Sequence, residues 1–143
     1  MRDGPESTSP ATPSCHTLLD SSASSVARAR SVTRSYLATS DRRFTEVDSA
    51  VLVVSELVSN AVQHAKKHGD IELVMDVHDG RLHVEVLDGD PSPPREEAPE
   101  RDEEHGRGLR IVDRLTDRWG WELVRGNGKR VWCDLERSAG WRR

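Results

Sequence analysis

The sequence predicts an α/β (α+β) fold, a two-layer sandwich with helices on one face of a mixed, largely antiparallel sheet. Three observations carry that expectation. Two stretches with helical apolar spacing come first, two pairs of strand-like runs follow, and a long proline-rich acidic segment separates the pairs. With 143 residues, the chain has room for one domain and short tails. The expected division is a flexible tail over 1–20, a domain over 21–137 and a short tail over 138–143.

Residues 1–20 are rich in Ser, Thr and Pro, with only Leu18 and Leu19 as an apolar pair. Such a segment buries too little surface to offset the entropy of ordering. Val26, Ala29, Thr33, Tyr36 and Leu37 then repeat at helical spacing, with Arg28, Arg30 and Arg34 elsewhere. A second helix opens at Thr45-Glu46-Val47-Asp48, which reads like a capping box, and runs to about Ala65. Val51, Val54, Val58, Val62 and Ala65 form its main apolar stripe; Ser49, Glu56, Asn60 and Gln63 lie roughly opposite.

Ile71, Leu73, Met75 and Val77 alternate along a first strand, and Asp79-Gly80 makes a tight turn. The return strand alternates Leu82, Val84 and Val86, and the same period places Asp88 on their face. A carboxylate aimed at an apolar layer needs a partner, because an unpaired buried charge is costly. From Gly89 to His105 the chain has four prolines and a run of acidic residues, the composition of a functional loop or lid reaching to about residue 108. Gly106-Arg107-Gly108 opens a third helix with Leu109, Val112 and Leu115 on one face. Trp121–Val124 and Arg130–Leu135 read as a closing hairpin across Gly126-Asn127-Gly128, with Cys133 as a small core residue.

Lys plus Arg total 21 and Asp plus Glu 25, a net charge of −4, which argues against general nucleic-acid or anionic-membrane binding. Cys15 and Cys133 are too sparse for a disulfide framework and lack metal-site spacing. No apolar run approaches the roughly 20 residues of a membrane span. The start Met1-Arg2-Asp3-Gly4-Pro5-Glu6 lacks the apolar core of a signal peptide, so a cytoplasmic protein is expected.

Three groups could carry chemistry. Glu56 and Asn60 stand four apart on one helix face: a carboxylate can deprotonate a hydroxyl, and an amide oxygen can ligate Mg²⁺. That spacing also suits an ordinary solvated face. Asp88 could accept a hydrogen bond from an exocyclic amine such as that of adenine, or serve as a turn carboxylate. Gly106 and Gly108 at a helix start would let backbone N–H groups approach a phosphate, although turns use Gly-x-Gly widely.

Together, in this order, these groups resemble the N, G1 and G2 boxes of the GHKL ATPases, which share the Bergerat ATP-binding fold. The resemblance covers about residues 24–136. It is closest to the stand-alone anti-sigma-factor kinases, through Val54-Ser55-Glu56-Leu57-Val58-Ser59-Asn60-Ala61-Val62-Gln63-His64-Ala65, Gly106-Arg107-Gly108-Leu109-Arg110-Ile111-Val112-Asp113 and Gly128-Lys129-Arg130-Val131-Trp132. It implies ATP and Mg²⁺ as ligands, Asn60 as the metal and nucleotide contact, Glu56 as general base and Asp88 as the adenine reader. Gly106 and Gly108 would contact phosphates, and Arg107 and His105 could add charge there or remain solvated.

Two positions depart from the family pattern. Asp88-Gly89-Asp90-Pro91 lacks a glycine two residues after the aspartate, and Arg130 stands where a Thr is expected near the adenine. The implied activity is that of a serine/threonine protein kinase that phosphorylates an antagonist protein. Its partners would be a sigma factor or that antagonist, with a homodimer left open. The alternative is an ATP-binding switch that regulates a partner without phosphoryl transfer; a histidine kinase ranks last, since no phosphoacceptor helix pair is present.

Overall fold

Along the chain run β1 (Cys15–Leu19), α1 (Ser24–Ala38), α2 (Val47–His64), β2 (Ile71–His78), β3 (Arg81–Asp88), α3 (Glu103–Leu115), β4 (Arg118–Leu123) and β5 (Lys129–Glu136). The computed structural model describes residues 13–40, 43–64, 69–94, 103–124 and 128–136, and only the backbone of 103–107. The strands form one sheet in the order β1-β2-β3-β5-β4. The two-layer α+β sandwich expected from the sequence is present, and its largely antiparallel sheet is antiparallel in every pairing among the described residues, with no parallel pair to make it mixed.

The β2–β3 hairpin turns where the sequence places it. Asp79 and Gly80 both take positive φ, 54° and 79°, which matches the right-handed twist of the flanking strands. One sheet face carries Ile71, Leu73, Met75, Val77, Leu82, Val84, Val86, Val131, Cys133 and Leu135, all buried. Burial also pushes the Cys133 thiol far up, so it stays protonated and acts as a small apolar side chain.

Against this face packs α2, flanked by α1 and α3. Its position between two helices and the sheet explains why it buries Ala50, Val53, Leu57 and Ala61 besides the predicted stripe. Each fully buried Val contributes roughly 1.5–3 kcal/mol relative to exposure. The helix starts at Val47 rather than Thr45, with Asp48 in its first turn, and Ala65 lies outside the described residues.

The flexible tail over 1–20 is corrected at its end: Cys15–Leu19 is the edge strand β1, paired with β2. Leu19 is buried, and Tyr36 fastens the other end. The Tyr36 hydroxyl accepts from the Val77 N–H at 3.1 Å and donates to the Pro13 carbonyl at 2.9 Å. Residues 1–12 and the tail 138–143 lie outside the described residues. The expected lid is also shortened: α3 begins at Glu103, while 95–102 lie outside the described residues. Likewise β4 begins at Arg118, three residues before the predicted Trp121.

The sheet's outer face is polar and centres on His83. Its Nδ1 lies 2.5 Å from Asp134 Oδ1 and its Nε2 2.8 Å from Glu85 Oε2, and its ring stacks on Trp132. Burial alone would lower this imidazole, but the hydrogen bonds to Asp134 and Glu85 outweigh it and the net shift is upward. A raised folded pKa means that the imidazolium's contribution to stability is complete below the free value of about 6.5 and is lost as pH rises through the raised value. Denaturant midpoints of the wild type should therefore fall between pH 6 and pH 8.5 relative to His83→Gln. Parallel pH profiles for the two proteins would refute this assignment.

Candidate functional site

The 3.6-residue period of α2 stacks Glu56 and Asn60 one turn apart, both half-buried, on the side away from the apolar stripe. The third helix meets this pair through Gly108. A Cβ built on Gly108 would stand 3.2 Å from Glu56 Oε1, a distance few side chains tolerate, so glycine lets the α3 backbone close on the carboxylate. The structure thus brings Glu56, Asn60 and Gly108 together.

It also corrects how the glycines sit. Gly106 and Gly108 lie inside α3, the latter as its sixth residue, rather than opening the helix. The unpaired N–H groups of the first turn belong to residues upstream of Gly108. The side chains of His105 and Arg107 lie outside the described residues.

Asp88 ends β3 on the helix-facing side, as its parity predicts, and is buried. Its partner is internal. Lys129, directly opposite in the β3–β5 register, places Nζ 3.2 Å from Asp88 Oδ1. Both side chains are 1% exposed. Lys129 Nζ also donates to the Asp90 carbonyl at 3.1 Å, and the Asp90 N–H donates to Asp88 Oδ1 at 2.8 Å. Burial raises the Asp88 carboxyl, against the opposing pull of the Asp90 amide and the Lys129 ammonium.

The backbone is tight here as well. Gly128 adopts φ +99°, and a Cβ on it would fall 2.1 Å from the Asp88 carbonyl oxygen. Beside the pair lies a recess of about 300 Å³ whose lining includes Leu18, Asp70, Glu72, Asp88 and Lys129.

Lys129 is the residue that reading the sequence missed. The reading singled out Arg130 as the departure near the base, yet Arg130 has the opposite parity and lies on the outer face, paired with Glu122 and 3.8 Å from Glu85. The signal was present: Val131, Cys133 and Leu135 alternate inward, and two residues earlier the same period reaches Lys129.

Known proteins resemble the chain at several levels. The structure of the RsbU and RsbW domains of Rv1364c from Mycobacterium tuberculosis matches with a TM-score of 0.63 at 21% identity, over 87% of this chain and 32% of that one. This likeness shows a shared fold. A histidine kinase domain from the Erythrobacter litoralis EL346 blue-light activated histidine kinase matches with a TM-score of 0.43 at 31% identity, over 64% of this chain and 45% of that one. The chain thus spans about a third of the first structure's length and under half of the second's. No curated protein matches it. Residues 19–134 match the family described as histidine kinase-like ATPase domain. That stretch holds all three helices and Glu56, Asn60, Asp88 and Gly108, and the chain belongs to this family.

Proposed function

We propose that the chain binds ATP with Mg²⁺ and acts as an anti-sigma-factor-type serine/threonine protein kinase, phosphorylating an antagonist protein. The observation that carries the proposal is the closure of Gly108 on the Glu56 carboxylate, one helical turn from Asn60. Phosphoryl transfer depends mainly on positioning and charge neutralisation, and this cluster has the parts for it. Glu56 would take the proton of the acceptor hydroxyl, and Asn60 would offer its amide oxygen to Mg²⁺. Backbone at Gly106 and Gly108 can approach phosphates closely, and Arg107 belongs to the same turn of α3. The metal would neutralise charge on the transferred phosphoryl group.

At the base end, Asp88 already holds an ammonium. That observation favours a second reading, an ATP-responsive switch that controls a partner without transferring phosphate. In both readings the partners are proteins, a sigma factor or its antagonist, and the protein works in the cytoplasm. Among the described residues no helix is long and apolar enough to cross a membrane.

Incubation with Mg²⁺ and γ-labelled ATP, with candidate antagonist proteins present, tests the proposal. The expected result is label on an antagonist serine or threonine. Nucleotide-dependent partner binding without any label would leave the switch reading in its place.

A further inference from the structure

The meeting of β3 and β5 holds an ion pair whose chemistry duplicates that of a ligand. An adenine read by Asp88 would present an N–H donor to a carboxylate oxygen, and Lys129 presents one already, at 3.2 Å. We propose that Lys129 is a resident stand-in for the base's exocyclic amine, which must leave Asp88 before a base can be read there. Lys129 then sets both the affinity for adenine and the discrimination between purines. This rests on the ATP reading above.

Four observations support it. First, Lys129 and the Asp90 amide both bond Asp88 Oδ1, and the side chains of the pair are 1% exposed, so the carboxylate is covered while the lysine stays. Second, Lys129 is the largest fully buried side chain among the described residues, and a lysine is retained in such a place only where its charge is matched. Third, the backbone cannot yield. The register fixes Asp88 opposite Lys129, and Gly128 is pressed against the Asp88 carbonyl, so only the lysine side chain can move.

Fourth, the ammonium has somewhere to go. The recess of about 300 Å³ beside the pair is lined by Asp88 and Lys129 together with the carboxylate-bearing Asp70 and Glu72. An amine displaced from Asp88 would find a second acidic seat there. The displaced ammonium would keep a carboxylate partner, while the neutral base amine would give Asp88 a donor in its place.

The consequence is measurable by titration calorimetry without any catalytic turnover. ATP and purine riboside 5′-triphosphate, which lacks the exocyclic amine, should bind the wild-type chain with affinities less than tenfold apart, because the amine gains only what displacing Lys129 loses. Lys129→Thr should bind ATP roughly tenfold or more tightly than the wild type and prefer it over the amine-less analogue by a similar factor, the size expected for a charge-assisted hydrogen bond. Lys129→Gln, which keeps a donor but no charge, should fall between. A tenfold or greater preference of the wild type for ATP overturns the proposal while leaving the ATP reading intact, and so does a folded Lys129→Thr that gains nothing. Should Lys129→Thr fail to fold, the wild-type comparison and Lys129→Gln decide. Failure of every folded form to bind either nucleotide overturns the proposal together with the ATP reading.

Discussion

Asp88→Asn is expected to lose about 3–5 kcal/mol of stability, because it leaves the Lys129 ammonium buried with no counter-charge. That is a large share of the roughly 5–15 kcal/mol that holds a domain together. Lys129→Met should cost a similar amount by stranding the carboxylate instead. The double variant, Asp88→Asn with Lys129→Met, removes both charges and should lose clearly less than the sum of the two. Chemical denaturation of the four proteins closes the cycle. Strictly additive losses, or an Asp88→Asn variant within half a kcal/mol of the wild type (roughly the error of additivity), would mean that the pair is not coupled as its geometry requires. This result is independent of any nucleotide.

Glu56→Gln should reduce phosphoryl transfer by roughly 10²–10⁴-fold, the range for a lost general base, while leaving ATP affinity nearly unchanged. The substitution keeps the shape that Gly108 packs against and removes only the basic oxygen. Asn60→Ala has a different signature. It removes the proposed metal ligand, so Mg²⁺-dependent nucleotide binding should weaken and transfer should fall with it. Calorimetry with and without Mg²⁺, paired with the labelled-ATP assay, separates the two. Equal effects of both variants on binding would deny them distinct roles.

How much of this was legible beforehand depends on distance along the chain. Glu56 and Asn60 could be placed because four residues make one turn of a helix, a purely local fact. Asp88 could be aimed inward because strand parity is also local. Lys129 needed a pairing register across 41 positions, and no local pattern states which strand lies beside β3. Parity alone would still have put Lys129 on the inner face and Arg130 on the outer. Expectation followed the more conspicuous position of the two.

The edge strand was lost for a related reason. Cys15, Thr17 and Leu19 alternate toward one face, but five residues of mixed polarity compete poorly with a tail composition rich in Ser, Thr and Pro. What orders them is β2 together with the Tyr36 hydroxyl, both far along the chain. The start of α3 moved because Glu103 and Glu104 extend the helix upstream of the glycines that seemed to open it.

The strand β5 follows β4 in sequence yet lies between β3 and β4 instead of at an edge. A ribosome therefore releases β3 well before the strand that will cover its open side, an interval on the order of seconds at ordinary synthesis rates. During that time the nascent chain carries a bare strand edge bearing Leu82, Val84 and Val86, and a carboxylate at Asp88 with no cation near it. Such edges recruit other chains. The closing of the core, and with it the assembly of the Asp88–Lys129 pair, thus waits on the emergence of β5, so the protein is most exposed to aggregation and to chaperone capture in the interval when β3 has emerged and β5 has not.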